Sequence, residues 1–467
     1  MPHQCPKREE ADALRHLGLH FEQRVAPLLP YRAWRAIEGA LLALPLGPQT
    51  ISRADRTVPN SILLCAIGDI LLDPKELRHV RPRLGSRLRS LLQTADLRVA
   101  NLEAQFSEHA RPVEGTGLRL RANPEDLWVL SELQIDAVTC ANNHVLDYGS
   151  HGVLESLVHL EKTGIQACGV GIARGDERKP TVLQVRDLSI AMFGYCDDWL
   201  IPPSGITDLL PASVADDDVI EDVRAARTTA DLVVVQLHWG YEYVIHPWVD
   251  HRDRARRFVE AGADLVLCHH AHVPMGFERY GRSIIAYGLG NFIAGYSRRR
   301  THPWTGIGVV LMVSMGKEGA GEMRLVPMGV SSNGLVEIVR GSAAAALCAA
   351  LQRASSRICD SVFLCRIQDS RMYREGLRSA AQLIEDLDDP ELYAEHWQCL
   401  QLPRQRRLAT LLAASHDSRH RTVAHVLGSV SCLHADESRK WLRGWEYRSD
   451  VLREWASHPR APLGRLP

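Results

Sequence analysis

From residue 61 onward the chain alternates short, almost wholly apolar runs with longer amphipathic ones. "SILLCAIGD", "LRVANLE", "DAVTCANNH", "LSIAMFGYC", "DLVVVQLHWG", "DLVLCHHAH" and "SIIAYGLGNF" follow one another in that order. A strand with one wet face alternates apolar and polar residues, so continuous apolar runs of about four to eight residues predict strands buried on both faces. Between them, "GVLESLVHLEKTG" and "RDRARRFVEAG" carry helical patterns, and Gly164 is suited to the position just past a helix end. Strand and helix in alternation predict an α/β architecture. "IGVVLMVSMGKEGAGEMRLVPMGV" predicts a hairpin instead, because a Gly-rich break separates two strand-like runs.

The flanks have a different texture. In residues 1–59, "ADALRHLGLHFEQRVAPLL" sets Leu14, Leu17 and Phe21 near one helical face, and the proline-punctuated "LPLGPQTISRADRTVPNS" reads as a linker. Beyond residue 340, "SAAAALCAALQRASS", "RMYREGLRSAAQLIEDL" and "RRLATLLAASH" are rich in good helix formers. The expected organisation is a helical extension and linker over 1–59, an α/β domain over 60–339, and a C-terminal α-helical region over 340–467.

Composition narrows the partners. A formal net charge of −1 provides no global field to recruit nucleic acid or an anionic membrane. The apolar patch "AIEGALLALPLG" is broken by Glu38 and Pro45, too short for the roughly 18 apolar residues of a membrane span, and the charged N-terminus lacks a signal-type apolar region. The 11 cysteines form no CxxC pair; Cys65, Cys140, Cys168, Cys196 and Cys268 sit in or beside apolar runs, as buried thiols in a reducing compartment would. The expectation is a cytoplasmic protein without a membrane span.

The candidate chemistry lies where the apolar runs end. Asp69 closes one; Asn101 and Glu103 close the next; Asn142, Asn143 and His144 follow a third; His238 a fourth; His269, His270 and His272 a fifth. Taken singly, each has an ordinary explanation. A strand-end Asp is usually a turn or cap residue, an Asn pair favours a turn, and a lone His is more often a satisfied strand-end residue than a ligand. His270 and His272, two apart on what reads as an extended segment, would point the same way. Ligands in α/β folds gather at the carboxyl ends of strands, so five segments could bring carboxylate, amide and imidazole groups to one rim. That donor mix suits a borderline divalent metal (Mn, Fe, Co, Ni or Zn) rather than calcium.

Six blocks in order carry a resemblance: "GD" at 68–69, "ADLRVANLE" at 95–103, "ANNHVLDYG" at 141–149, "LHWGYEY" at 237–243, "AGADLVLCHHAHVP" at 261–274 and "YGLGNF" at 287–292. Together they resemble the poly-γ-glutamate capsule synthesis family, the CapA-type branch of the calcineurin-like metallophosphoesterases, over roughly residues 61–330. The resemblance implies a four-layer sandwich of two packed mixed sheets flanked by helices, with one or two divalent ions (Mn, Fe, Zn or Ni) at the sheet ends. It implies Asp69, Glu103, Asn143, His238, His270 and His272 as metal ligands, Glu103 standing where the superfamily has a bridging aspartate. His144 would be a non-ligand general acid. His269 occupies a position usually held by glycine and is not expected to be a ligand. Leu71 departs from the superfamily, which carries a histidine two residues after the first aspartate.

The implied activity is hydrolysis or transfer at a phosphoester or at a glutamyl or peptide-like amide, with metal-activated water as nucleophile and His144 as proton donor. Arg298, Arg299 and Arg300 are candidates for binding an anionic substrate, with a solvated surface loop as the competing reading. His246, His251 and Glu242 lie near His238 in sequence, either facing the site or serving the fold; Glu242 could orient a ligand imidazole. A non-catalytic accessory role in a biosynthetic pathway, with the C-terminal helices docking a protein partner, is the alternative.

Overall fold

A computed structural model describes residues 51–53, 58, 60–72, 82–113, 119–173, 175–197, 200, 211–294, 303–330 and 334–364. The helices expected before residue 50 and after 364 lie outside these residues. In chain order the elements are β1 (Ile51–Arg53), β2 (Ile62–Ile70), β3 (Arg83–Leu84), α1 (Ser86–Gln93), β4 (Leu97–Leu102), β5 (Gln105–Phe106), β6 (Arg121–Ala122), α2 (Trp128–Glu132) and β7 (Ala137–Thr139). Next come α3 (Gly149–Lys162), β8 (Gln166–Cys168), β9 (Thr181–Val185), β10 (Leu188–Cys196), α4 (Asp216–Arg227), β11 (Leu232–His238), α5 (Val249–Ala261) and β12 (Leu265–His269). The series closes with β13 (Phe277–Tyr280), β14 (Ser283–Ala286), β15 (Asn291–Ile293), β16 (Ile307–Gly316), β17 (Gly319–Val330), β18 (Leu335–Ile338) and α6 (Gly341–Arg357).

Two mixed sheets form the frame. The first runs β3-β18-β17-β16-β2-β4-β7-β8, with β1 added to β17 and β15 to β2; the second runs β13-β14-β12-β11-β10-β9. In the first, β2, β4, β7 and β8 are mutually parallel, whereas β16 and β17 form the expected antiparallel hairpin. In the second, β10, β11, β12 and β14 are parallel and β9 and β13 are antiparallel edges.

The period-two alternation of a strand sorts its side chains to two apolar layers. Leu64, Ala66, Val99, Leu311 and Val313 share one core with Val233, Val235 and Val266 of the second sheet, so the sheets pack face to face. Their neighbours Cys65, Ile67, Ala100 and Met312 face the opposite way, with Leu88 and Leu92 of α1. Both faces of these strands are therefore dry, which explains their unbroken apolar sequence. On the outer side of the second sheet, Val219 and Val223 of α4 and Ala255 and Phe258 of α5 are buried. The architecture is the mixed α/β sandwich expected from the sequence.

Helix α3 ends as its sequence suggests. Gly164 takes φ +77°, with its N–H on the Glu161 carbonyl at 2.9 Å and the Ile165 N–H on the Leu160 carbonyl at 3.0 Å. This double bond pattern satisfies two carbonyls that a helix end leaves over. In the segment read as a linker, Ile51–Arg53 pairs antiparallel with β17. Helix α6, which opens the region read as a helical appendage, contributes Ala343, Ala344, Leu347 and Leu351 to the same apolar core as the second sheet. The compact unit runs to Asp360 and a second begins at Ser361. Among the described residues no helix is long and apolar enough to cross a membrane. Cys65, Cys140, Cys168, Cys196 and Cys268 are buried free thiols, as their apolar surroundings suggest.

Candidate metal centre

The site is built at the carboxyl ends of strands from both sheets. Gly68 is the reason β2 can deliver Asp69 to it. A Cβ on Gly68 would lie 1.7 Å from the Gly290 carbonyl oxygen, and that same oxygen accepts the Asp69 N–H at 3.0 Å. The glycines of "IGD" and "GLGNF" thus let β15 close onto the end of β2. Next door, β4 carries Asn101, and Glu103 follows directly after it, its N–H bonded to the Ile70 carbonyl at 3.0 Å. Asp69 and Glu103 are 1% and 0% exposed, so each carboxylate is enclosed by the groups around it.

The Asp69 side chain sits in a net of donors. Its Oδ1 accepts Asn101 Nδ2 at 2.8 Å and lies 3.1 Å from His269 Nδ1, and its Oδ2 lies 3.3 Å from His272 Nδ1. Burial alone would raise its pKa, but the bonds and charges of His269 and His272 outweigh that and hold it well below the usual carboxylate range. Asn142 serves as a turn and scaffold residue: its Nδ2 donates to the Leu102 carbonyl at 2.8 Å and its Oδ1 accepts the His144 N–H at 3.1 Å. Asn143 reaches the site itself, with Oδ1 2.9 Å from His238 Nε2.

The histidines arrive by two routes. His238 and His269 are the last residues of β11 and β12 and sit opposite each other across that parallel pair. His270 and His272 lie past the strand, at φ +84° and +57°. The extended-segment argument that paired them therefore does not hold. β12 ends at His269, and a left-handed backbone, uncommon for residues bearing a Cβ, turns the two rings to within 5.9 Å of each other. The His238 and His270 rings are 4.9 Å apart. Burial is the main cause that keeps both imidazoles neutral, outweighing the opposite charge of Glu242 on His270 and of Asp69 on both: His238 is lowered well below its ordinary value and His270 to about 4. Neutral imidazole is the ligand form.

Among the described residues three donor groups result, each with one ligand atom per residue and all atoms within 4.8 Å of one another: Glu103 with His238 and His270, Asp69 with Glu103 and His272, and Glu242 with His270 and His272. Glu103 is common to the first two of these groups, and Asn143 lies beside the first through His238. Hard carboxylate and borderline imidazole donors in small buried groups fit a first-row divalent ion. His144 stands beside them, its Nε2 3.9 Å from Glu103 Oε1 and its Nδ1 2.7 Å from Asp147 Oδ2.

Several contributors escaped the sequence reading. Asp147 orients His144 and also accepts the Leu120 N–H at 2.6 Å; the three-residue spacing within "HVLD" was its signal. Asn291 holds His272 through Oδ1 at 3.0 Å from Nδ1, and Gln236 lies behind His269 with Oε1 3.3 Å from Nε2. Leu71 is 3% exposed in the apolar layer with Ile70 and Leu102. His251 packs against Trp239, ring centroids 4.8 Å apart, and its Nε2 is 3.7 Å from Asp197 Oδ2. Neither His251 nor His246 belongs to the three donor groups. Arg298, Arg299 and Arg300 lie outside the described residues.

Comparison with known proteins falls on the same stretch. The chain is 31% identical to the PGA biosynthesis protein CapA of Bacillus subtilis over 220 residues, 46% of this chain and 56% of that protein. It is 28% identical to a probable polyglutamine synthesis accessory protein of Mycobacterium tuberculosis over 229 residues, 45% of this chain and 59% of that protein. The chain thus spans little more than half the length of these relatives. Among solved structures it is similar to a 5'-nucleotidase precursor from Thermus thermophilus, with 12% identity and a TM-score of 0.37 over 63% of this chain and 59% of that one, a likeness too loose to carry weight. The model of the family described as bacterial capsule synthesis protein PGA_cap matches residues 63–296, half of the 467, and encloses every donor described above; the chain belongs to that family.

Proposed function

We propose that this chain is a metal-dependent hydrolase or transferase acting on a phosphoester or on a glutamyl or peptide-like amide. The observation that supports it is the meeting of Asp69, Glu103, His238, His270 and His272 in overlapping donor groups, with His144 3.9 Å from the shared carboxylate. Asp69, Glu103 and His272 would hold one divalent ion, and Glu103, Asn143, His238 and His270 a second. Such an ion supplies Lewis acidity, polarising an electrophilic oxygen and acidifying water at neutral pH.

The remaining work falls to the chain. As proton donor, His144 would offer an Nε2 proton to the site while its Nδ1 proton is held by Asp147. Giving that proton to the leaving group leaves neutral imidazole with its Nδ1–H still on Asp147, so ring orientation is held through the step. Asp147 is 2% exposed and receives both the imidazole and the Leu120 amide, which fixes its carboxylate. Asn101 and His269 hold Asp69 at a set angle, and Asn291 does the same for His272.

The test is to purify the protein, measure its metal content, and assay generic phosphodiesters, phosphomonoesters and γ-glutamyl amides with Mn, Fe, Ni or Zn added. Turnover that His238→Ala and His270→Ala abolish is the expected result. A protein that takes up no divalent ion, with these substitutions changing nothing, overturns the reading.

A further inference from the structure

We propose that Asn142 is a positioning residue of the metal centre, locking the segment that carries His144 to both Asp69 and Glu103; this rests on the metal-centre reading above. Its place in "CANNH" has an ordinary use. Asn142 Oδ1 accepts the His144 N–H, two residues on, at 3.1 Å, the bond that closes an Asx turn. A turn of that kind asks only for the oxygen, and an aspartate serves it as well. The amide nitrogen is the part the turn leaves unexplained.

That nitrogen points toward the ligand carboxylates. Asn142 Nδ2 donates to the Leu102 carbonyl at 2.8 Å and to Asn101 Oδ1 at 3.2 Å. The Leu102 carbonyl belongs to the peptide unit leading into Glu103, whose own N–H is on the Ile70 carbonyl at 3.0 Å. That peptide is gripped at both ends, by Asn142 and by β2, immediately before the carboxylate common to two donor groups. The other bond continues. Asn101 accepts it on Oδ1 and donates its own Nδ2 to Asp69 Oδ1 at 2.8 Å. Three bonds thus run one way: His144 N–H to Asn142, Asn142 to Asn101, and Asn101 to Asp69. Bonds aligned head to tail in a low-dielectric interior polarise one another, and the carboxylate at the end strengthens the last of them.

The strand order makes this relay possible. Asn101 is paired with Asp69 of β2 on one side and with Thr139 of β7 on the other. Strand β4 therefore lies between the strand bearing Asp69 and the one leading to residues 142–144. The Asn101 nitrogen is also 3.5 Å from Glu103 Oε2 and 3.3 Å from His238 Nδ1, which sets it among donors of both groups. Asn101 and Asn142 are 0% and 1% exposed, so bulk water does not reach either amide to take over its bonds. A flip of Asn142 would face its nitrogen to the His144 N–H and its oxygen to two acceptors, so the amide holds one orientation.

The experiment uses the full chain, stripped with chelator and titrated with Co2+ by calorimetry and by its visible spectrum, in wild type, Asn142→Ser, Asn101→Ser and the double variant. Asn142→Ser keeps a hydroxyl for the turn and loses both amide hydrogens. Expected are two equivalents bound by wild type, with Asn142→Ser weakening at least one of them about tenfold and shifting the spectrum. The double variant should lose less than the product of the single losses, because the two amides act in one chain. If Asn142→Ser lowers only the unfolding temperature of the stripped protein, and matches wild type in Co2+ affinity and spectrum, the residue serves the turn alone. The assignment is then wrong and the metal-centre reading survives. If the single losses multiply, the relay through Asn101 is wrong. Should the serine variant fail to fold, Asn142→Asp keeps the shape and the turn oxygen but sets an oxygen against two acceptors, and the same two measurements decide. If wild type itself binds no Co2+, the metal-centre reading falls and the assignment with it.

Discussion

His269 Nδ1 lies 3.1 Å from Oδ1 of Asp69, and the far side of the same ring meets Gln236 Oε1 at 3.3 Å. His269 is thereby a brace, connecting a buried amide to a candidate ligand carboxylate without joining any donor group. Partners of this kind typically contribute about 10- to 100-fold in metal affinity. His269→Ala should lower divalent-ion affinity by about that factor while the stoichiometry stays the same. His270→Ala should remove an equivalent. Metal content after dialysis, with titration of Mn2+ into stripped protein, separates the two outcomes.

His144 and Asp147 form a pair that should fail unequally. Loss of a general acid costs about 100- to 10,000-fold in rate. His144→Ala should show that loss with metal binding unaffected, since His144 is outside the donor groups. Asp147→Asn keeps the shape but no longer favours the imidazolium, so kcat should fall by about tenfold or more with KM little changed. Equal metal uptake in both variants, with equal activity to wild type, would remove His144 from the mechanism.

The stripped protein should be acid-sensitive in a defined window. His270 is pushed down to about 4 by burial, whereas an unfolded imidazole takes its proton near about 6.5. Between those values the unfolded chain binds more protons than the folded one, so stability is full above about 6.5 and is lost as pH falls toward 4. His270 alone accounts for a loss on the order of 3 kcal/mol, and His238, lowered by the same cause, adds to it. Urea unfolding of chelated protein at about pH 7.5 and 4.5 should show the drop, and His270→Gln should flatten the profile.

Gly68→Ala tests the close approach that presents Asp69. Its methyl would have to occupy space 1.7 Å from the Gly290 oxygen, a backbone atom that no side-chain rotation can move. The cost should be about 3 kcal/mol or more, read as a lowered denaturation midpoint or as failure to fold. Gly164→Ala is the contrast: a Cβ there meets nothing within 4 Å, so only the penalty of its φ of +77° remains, about 1 kcal/mol.

The frame was legible because burial on both faces leaves a strong mark: β2, β4, β11 and β12 could be found as apolar runs whose ends carried polar groups. Asp69, Glu103 and His238 followed from that mark, being at or just past strand ends. His270 and His272 come together by a left-handed backbone rather than by the extended one their spacing suggests, and such a backbone cannot be read from "HHAH". The nearness of Glu242 to them depends on one hydrogen bond between two loops, Tyr243 to Ala271, and no local pattern reports such a tie. Asn291 and Gln236 act through single contacts to histidine rings, and neither amide stands out in composition or periodicity.

The passage from β14 to β15 carries the chain out of one sheet and into the other, and it ends against Gly68. Asp69 and Glu103 therefore ride on one layer of the sandwich, while His238, His270 and His272 ride on the opposite one. An ion held there, as proposed, would act as a rivet through the two layers. Sliding of either layer would pull its donors out of range, so mechanical shear and ion occupancy would become one coupled variable. Chelation should then loosen the fold far from the donors, with amide exchange quickening along β4 and β11 together.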